Sequence, residues 1–332
     1  MKYIITFLLI GCFFSPKSWA QDPEFSQFYA APLHLNAAMI GFGEAPRFVA
    51  NFRDQQVSFG NAFITTALSY DQHFYKYNSS IGAMLLVDIA GQVLYNYQFA
   101  AMYAYQLQLN NNLYLKVGLQ AGVVNQSIST AELIYRDMLD PFSGQATQTT
   151  AETPLEQNSI TKFDAGAGIC LYNDGFYMGT SVKHITAPNV SFSDNQDQSN
   201  ILHRRYSIHA GKTFYLGKNR IGGEPFYIVP NILGIQQADF SQLNVGAYMG
   251  KELFYGGLWF RHTFHNPDAL IVLLGMKINM FKIGYSYDFT VSGIKTNAGA
   301  HELSLTLDLG KDPYYKKKER LRNSANCPQM FK

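Results

Sequence analysis

Residues Tyr95–Leu107 read YNYQFAAMYAYQL, and this stretch decides the fold. Its odd-numbered positions hold tyrosine, phenylalanine, alanine and leucine, whereas the even-numbered positions hold amide side chains, alanine and Met102. A period of two places these sets on opposite faces of a β-strand. Thirteen residues exceed the length of most strands in soluble proteins, but they suit a tilted membrane-crossing strand, which needs about 9–11 residues. The stretch therefore predicts a transmembrane strand.

The same alternation recurs along most of the chain. After the polar turn Asn110–Asn112 it resumes from Leu113 to Val123, which predicts a hairpin. It returns in four later segments, 163–171, 176–182, 281–289 and 303–309. One face is apolar and the other carries glycine, serine and isolated charges, as expected for lipid outside and a polar lumen inside. The alternative is a soluble β-sandwich, in which one face would turn to a dry core.

Fourteen such segments can be counted, and single-chain bacterial barrels prefer an even number. They are 47–53, 62–70, 80–88, 95–107, 113–124, 162–171, 174–183, 205–214, 224–235, 241–250, 253–262, 269–276, 279–288 and 300–309. Several links between them are brief, whereas 125–161 and 184–204 are long. Short periplasmic turns and longer outer loops are typical of such barrels, so we expect both termini in the periplasm. The sequence predicts an all-β fold, a transmembrane antiparallel β-barrel of about 14 strands at 47–310.

The composition agrees with an exported β-protein. Hydrophobic residues are 47% of the 332-residue chain, and aromatic and charged residues 15% each; an average domain has about 25% charged residues. The net charge of +2 gives no reason to expect a nucleic-acid partner. No apolar stretch after Ala20 reaches the roughly 18–20 residues of a membrane helix. The three cysteines are too few for a disulfide scaffold.

Residues 1–20 have the features of a secretory signal peptide. A positive start is followed by the apolar core Tyr3–Phe14, and Ser18–Ala20 offers small residues at the two positions that signal peptidase needs. Cleavage there would begin the mature chain at Gln21. The alternative is a lipoprotein, because Leu-Ile-Gly-Cys resembles a lipoprotein box and would leave a lipidated Cys12 at the mature N-terminus. The intact mass of the mature chain decides between them.

Two segments fall outside the strand pattern. Residues 21–46 are dense in aromatic side chains, and we expect a plug packed in the barrel lumen, with a direct recognition site as the other interpretation. Lys311–Lys332 carries seven basic and two acidic residues; we interpret it as a periplasmic tail that docks on acidic partners, with a solvated charge run as the alternative. The candidate partner-binding residues in these segments are Asp22, Pro23, Phe25, Ser26, Gln27, Tyr29, Lys316, Lys317, Lys318, Arg320, Arg322, Cys327 and Pro328.

Three parts of the chain closely resemble the PorP/SprF family. They are QDPEFSQFY at Gln21–Tyr29 with PLHLN at Pro32–Asn36, GYSYDF at Gly284–Phe289 with HELSL at His301–Leu305, and the ending at Cys327–Pro328. The resemblance implies an outer-membrane protein of the type IX secretion system of Bacteroidetes. Such a protein would help to secrete a cargo with a C-terminal sorting domain or hold it at the cell surface. SprF-like members serve gliding adhesins, so the resemblance also implies a role in gliding motility.

No catalytic, cofactor-binding or metal-binding residue is predicted. His262 and His265 are three positions apart, but no third ligand with suitable spacing accompanies them. Isolated charges on the predicted lumen face are expected to pair with one another or with the N-terminal segment. These charges are Lys116, Asp164, Lys183, Lys282 and Asp288.

Three functions are consistent with these features. The first is a secretion and surface-anchoring component, in which the loops 125–161 and 184–204 contact cargo while the tail binds secretion-system components. The second is a passive outer-membrane transporter for small hydrophobic molecules, in which residues 21–43 would be a movable plug. The third is a lipid-modifying membrane enzyme, although no serine, base and orienting residue form a recognisable set. The first predicts a stoichiometric protein partner, the second ionic current or ligand uptake, and the third labelling by a serine-reactive probe.

Overall fold

The alternating segments form one antiparallel sheet in the computed structural model. The structure describes residues 22–309, apart from residues 44, 56–62, 130–132, 134, 140–157, 193–199, 217–224, 265 and 292–298. The strands in these residues are β1 (Arg47–Gln55), β2 (Phe63–Phe74), β3 (Ser79–Ala90), β4 (Leu94–Asn110), β5 (Leu113–Ile128), β6 (Ser159–Tyr172), β7 (Phe176–Lys183), β8 (in two parts, Arg205–Lys212 and Phe214–Leu216), β9 (Phe226–Gln237), β10 (Phe240–Lys251), β11 (Phe254–Thr263), β12 (Asn266–Ile278), β13 (Phe281–Thr290) and β14 (Ala300–Asp308).

The sheet closes on itself, because β1 pairs with β2 on one side and with β14 on the other. Arg47 lies opposite Asp308, and Gln55 lies opposite Ala300. Pro230 of β9 falls opposite the interruption in β8, where it has no N–H to give to the ladder. A closed sheet leaves no unpaired edge in the hydrocarbon. The fold class is confirmed: the described chain is an outer-membrane-type β-barrel of fourteen antiparallel strands, and the predicted strand boundaries are within four residues of those observed.

Side chains alternate between the outside and the interior as the sequence predicts. Along β4, Phe99 is 50% exposed whereas its neighbour Gln98 is 5% exposed. On β14, Leu303 and Leu305 are exposed and Ser304 between them is buried. The outside is therefore apolar, as contact with lipid requires, and the interior is largely polar.

No helix in the described part of the chain is both long and apolar enough to cross a membrane. The helices there are short: α1 is Pro32–Leu35, and single 3-10 turns occupy Ala37–Met39, Tyr75–Tyr77 and Arg136–Met138.

The two ends of the barrel differ in their connections. At one end, two-residue turns join β4 to β5, β10 to β11 and β12 to β13. Arg47 and Asp308 lie at this end, which we call the short-turn end. The segments that follow β5 and β7 lie at the opposite end, which we call the long-loop end.

Residues 22–43, which we call the inner segment, pack against the interior face of the barrel. All are buried except Pro23, Glu24 and Ala30, which are half-buried. Pro32 begins α1, where its fixed φ suits the first turn. The side chain of Asn36 then accepts the N–H of Ala38 at 2.8 Å and starts the next turn.

The inner segment runs from the long-loop end towards the short-turn end. The N–H of Asp22 donates to Gln237, the last residue of β9, whereas the N–H of Leu309 donates to the carbonyl of Pro46. Asp22 and Leu309 therefore lie at opposite ends of the barrel. The inner segment crosses the interior before β1 begins. The two termini themselves lie outside the described residues, and their placement in the periplasm stays a prediction.

Candidate functional site

Two of the stretches that carry the family resemblance form the interior site. Strand β1, which closes the barrel, lies beside them. Ser26 and Gln27 come from the first stretch, and Asp288 on β13 and Glu302 on β14 from the second. Closure of the sheet brings Arg53 of β1 beside them, since Arg53 lies opposite Glu302. Residues more than 230 positions apart thus meet in one place.

Glu302 holds the backbone of the inner segment. Its carboxylate accepts the N–H of Ser26 at 2.7 Å and the N–H of Gln27 at 2.9 Å. The side-chain amide of Gln27 donates to the Glu302 carbonyl at 3.1 Å and accepts the hydroxyl of Ser304 at 2.6 Å. Hydrogen bonds to a carboxylate are stronger than those between neutral groups. This residue therefore fixes both the position and the direction of the segment.

Four charged side chains surround Ser26, and we call Arg53, Arg261, Asp288 and Glu302 the ion network. Arg53 donates to Asp288 at 2.9 Å and to Glu302 at 3.1 Å, and Arg261 donates to Asp288 at 2.7 Å. The hydroxyl of Ser26 donates to Asp288 at 2.6 Å and accepts from Arg53 at 2.7 Å. Two cations balance two carboxylates, which a buried site requires.

A second charged site holds the start of the inner segment. The ring of His184 contacts Asp22 at 2.7 Å through Nε2 and Asp164 at 3.0 Å through Nδ1, and Lys183 lies 3.9 Å from Asp22. Burial alone would lower the pKa of His184, but the Asp22 carboxylate and hydrogen bonds to Asp164 and Asp22 raise it to about 9. Burial alone would raise the pKa of Asp22, but His184 and then Lys183 hold it well below its usual range. At neutral pH the imidazolium therefore donates to both carboxylates.

Further ion pairs lie near each end of the inner segment. Near its start, Glu24 pairs with Arg205 of β8. Near its end, Asp71 of β2 accepts the N–H of Gly41 at 2.6 Å and pairs with Arg47 at 2.9 Å. These contacts tie the inner segment to strands on both sides of the barrel.

Side chains and backbone carbonyls of the inner wall bind the middle of the inner segment. Lys116 donates to the carbonyl of Ile40 at 2.5 Å. The side-chain amide of Asn36 donates to the carbonyls of Ile169 and Thr180 at 3.2 and 3.1 Å. Ser181 donates to the carbonyl of Leu35 at 2.8 Å. The backbone of this short helical region is thus bonded to the barrel rather than to water.

Two glycines allow this close approach. A Cβ at Gly168 of β6 would lie 2.0 Å from the Asn36 side-chain oxygen, and a Cβ at Gly118 of β5 would lie 2.4 Å from the backbone of Ala37 and Ala38. Any other residue at either position would need the inner segment to move. Glycine on the interior face is therefore a packing requirement here.

Aromatic rings surround the later part of the inner segment in the half of the barrel near the short-turn end. Tyr29 stacks on Trp259 with ring centroids 5.9 Å apart, and Phe42 packs on Tyr172 at 4.7 Å. We call the wall residues of this cluster the aromatic belt, which consists of Tyr114, Tyr172, Tyr177, Tyr227, Tyr248 and Trp259. The Trp259 indole donates to Asn231 at 2.6 Å, so its polar atom is satisfied.

The structure places the predicted N-terminal site residues inside the barrel. Phe25, Ser26, Gln27 and Tyr29 are at most 7% exposed. As folded, they bind the chain's own interior rather than present a surface to a partner. Their partner-binding role stays a prediction for another state of the chain. Lys316, Lys317, Lys318, Arg320, Arg322, Cys327 and Pro328 lie outside the described residues.

The prediction that lumen charges pair with one another or with the N-terminal segment is confirmed. Lys116, Lys183 and Asp288 contact the inner segment. Asp164 contacts His184, and Lys282 lies 3.9 Å from Asp308. Sequence reasoning missed seven further members of the barrel wall in these clusters. They are Arg47, Arg53, Asp71, His184, Arg205, Arg261 and Glu302.

The two-residue alternation along the strands predicts the inward direction of some of these missed residues. Arg53 alternates in step with the interior residues Val49 and Asn51, so its inward direction is readable from the sequence. Its partners are not readable, because they depend on barrel closure. The arrangement as a whole is that of a bound peptide, held through its backbone and its side chains.

Comparison with known proteins gives one match to a family. The chain matches the family model described as type IX secretion system membrane protein PorP/SprF over residues 18–307. No curated protein matches the chain. Among solved structures, the chain is similar to a TodX deltaS2S3 mutant monoaromatic hydrocarbon channel, with 10% identity, a TM-score of 0.47, and coverage of 83% of this chain and 92% of that chain.

Two further solved structures are more distant. LpxR from Salmonella typhimurium has 11% identity and a TM-score of 0.37, with coverage of 79% of this chain and 99% of that chain. The KdgM porin has 6% identity and a TM-score of 0.36, with coverage of 80% and 99%. The family match spans most of the closed barrel described above, and the chain belongs to the PorP/SprF family of type IX secretion system membrane proteins, as an outer-membrane component of that system.

Proposed function

We propose that this chain binds a secreted cargo protein with a C-terminal sorting domain at the long-loop end, and so helps to secrete the cargo or anchor it at the cell surface. A gliding adhesin is the cargo class that the family resemblance favours. The observation that carries the proposal is the occupied interior. An interior held by buried ion pairs and hydrogen bonds favours docking on the barrel over passage through it.

In this proposal the inner segment is a plug. It closes the interior by side-chain packing near the short-turn end and by charge pairing near the long-loop end. Opening a path would break several buried charge contacts. A buried charge that is left without its partner strongly lowers the stability of the fold. The same feature speaks against a passive transporter for small hydrophobic molecules, which would need the segment to move with little resistance. We propose no catalytic role.

We further propose that the short-turn end faces the periplasm and that the tail 311–332 binds acidic secretion-system components there. Leu309 ends the described chain at the short-turn end, and the tail that follows carries seven basic residues. Removal of residues 1–20 as a signal peptide belongs to the same proposal.

The test is an affinity pull-down of the tagged protein in mild detergent, followed by mass spectrometry. Three versions are compared: the full chain, a chain ending at Gly310, and a full-length chain in which Lys316, Lys317, Lys318, Arg320 and Arg322 are replaced by glutamine. The third version separates the charge of the tail from its length. Ionic current through the purified full-length barrel is recorded in parallel.

We expect the full chain to retain a sorting-domain cargo together with periplasmic secretion components. Both tail variants should keep the cargo and lose the periplasmic components, and the full-length barrel should carry no steady current. A full-length protein that comes out alone, under conditions that preserve other outer-membrane complexes, contradicts the proposal. Steady conductance or ligand uptake would instead favour the transporter.

A further inference from the structure

The outer face of the barrel carries a groove that the interior site does not use. It has a volume of about 550 Å³ and lies across β7, β8, β9 and β10. Its walls include the outward side chains of Tyr206, Ile208, Leu243 and Phe264. Tyr206 and Ile208 are more than half exposed. Thr180, Gln236 and Ser241 add polar groups to the lining. On the membrane side of Gly234 the neighbouring outward residues Ile232 and Val245 are apolar and exposed, so the groove opens to the lipid hydrocarbon there.

Gly234 forms the floor of this groove. It points outward from β9, because its neighbours Leu233 and Ile235 are buried in the interior. Within the described part of the chain, a Cβ at Gly234 would meet only Ile208, with its methyl carbon 3.2 Å and its carbonyl oxygen 4.0 Å away. The hollow therefore results from an absent side chain, and a larger residue would fill it.

A cation lies at the end of the groove nearest the long loops. Arg204 precedes β8 and continues the outward alternation of Tyr206 and Ile208. It is exposed, and its Nε donates to the carbonyl of Ile185 at 3.1 Å, which fixes the side chain. An exposed guanidinium is well suited to phosphate. The face therefore changes from a cation, through a phenol, to aliphatic side chains as it enters the membrane.

We propose that this face binds one phosphorylated glycolipid of the lipid A class from the outer leaflet. An acyl chain fills the groove over Gly234, and a headgroup phosphate contacts Arg204. The charge at one end and the apolar hollow below it complement the two parts of such a lipid. The choice of leaflet rests on the proposed orientation, with the long-loop end at the cell surface.

The experiment measures lipid binding to the full-length, delipidated barrel by native mass spectrometry. Purified lipid A is titrated in one arm and phosphatidylglycerol in the other. Gly234→Leu fills the groove and Arg204→Gln removes the cation. The matched controls are Ala50→Leu, which adds the same side chain to the outward face of β1, and Lys76→Gln, which removes an exposed cation at the short-turn end.

We expect the full chain to bind lipid A in preference to phosphatidylglycerol. Gly234→Leu and Arg204→Gln should each weaken lipid A binding about tenfold, the effect of one lost charge-assisted hydrogen bond or its steric equivalent. Both controls should bind as the unchanged protein does. Folding is judged by whether heating changes the migration of the barrel on a denaturing gel. If Gly234→Leu does not fold, the exposed Arg204→Gln variant still tests the proposal.

Equal binding by all variants overturns the proposal, as does preference for phosphatidylglycerol or no lipid binding at all. Membrane fractionation of the unchanged protein separates this failure from failure of the proposed function. A protein that fractionates with the outer membrane and retains cargo, but binds no lipid A, refutes the groove alone.

Discussion

The two halves of the inner segment are held by different balances of charged and apolar contacts. Residues 22–27 meet the ion network and the Asp22–His184 contact near the long-loop end. Residues 28–42 pack mainly on the aromatic belt near the short-turn end, where Lys116 and Asp71 also bind their backbone. Buried charges add little net stability, but they are strongly destabilising when one partner is lost. Apolar packing gains free energy in proportion to the buried area. We infer that the aromatic half stabilises the bound segment, whereas the charged half fixes its position along the barrel interior.

Removing one cation from the ion network should have the largest effect. Among the described residues, Arg53→Met leaves Glu302 without a cation and Asp288 with only Arg261. We expect a loss of about 3–5 kcal/mol in the free energy of unfolding, the usual result of breaking a buried ion pair. The measurement is a urea titration of the barrel refolded in vesicles.

The control for this variant is Lys282→Met, because Lys282 is partly exposed and lies 3.9 Å from Asp308. Exposed ion pairs contribute about 0–1 kcal/mol, so this change should leave the free energy of unfolding almost unchanged. If the two variants lose equal free energy of unfolding, the buried ion network depends on its charges no more than an exposed ion pair does. The charged half would then not differ from the aromatic half in the way inferred above.

Raising the pH should weaken the charged half next. The folded-state pKa of His184 is about 9, against an ordinary value of 6.5. A raised pKa gives stability that is fully present below pH 6.5 and is lost as the pH rises through 9. The slope should not exceed about 1.4 kcal/mol per pH unit. The pKa of Asp22 is lowered, so that carboxylate stays ionised throughout this range.

His184→Gln isolates this effect, since glutamine keeps a hydrogen-bonding side chain but does not titrate. The difference in free energy of unfolding between the two proteins should shrink steadily from pH 6.5 to 9.5. A constant difference across that range would rule out the protonated form of His184 as the source of the contact.

The sequence allows the faces of this barrel to be predicted, but not the neighbours across its interior. A two-residue period fixes which side chains of β4 point outward, because strand geometry alone determines it. The pairing of Arg53 with Asp288 is different, since 235 residues separate them and closure of β1 on β14 makes them neighbours. Gly168 is readable as small and inward, but its contact with Asn36 depends on a segment that has no period of its own.

A methyl group on the wall should disturb the segment by a smaller amount. Gly168→Ala places a Cβ 2.0 Å from the Asn36 oxygen, so the segment must shift in the middle of residues 28–42. Overpacking of this kind typically lowers stability by about 1–3 kcal/mol. We also expect faster cleavage within residues 22–43 by an added protease, measured by mass spectrometry of the fragments.

The matched control is Gly175→Ala in the turn that follows the same strand, where the nearest atom to the new Cβ is 3.6 Å away. That distance is an ordinary contact, and neither stability nor protease resistance should change. If Gly168→Ala behaves like Gly175→Ala, the segment has room to move, and its fit against the wall is looser than its contacts imply.

The smallest effect should come from the aromatic half and should not depend on pH. Trp259→Phe keeps a ring beside Tyr29 but removes the donor that bonds to Asn231 at 2.6 Å. We expect a loss of about 1–2 kcal/mol, because a buried amide oxygen is left without that partner. Adding Asn231→Leu should recover part of the loss, since removing both partners is less unfavourable than removing one. A loss that is not recovered, or that changes between pH 6.5 and 9.5, would mean that the aromatic belt is coupled to the charged half rather than independent of it.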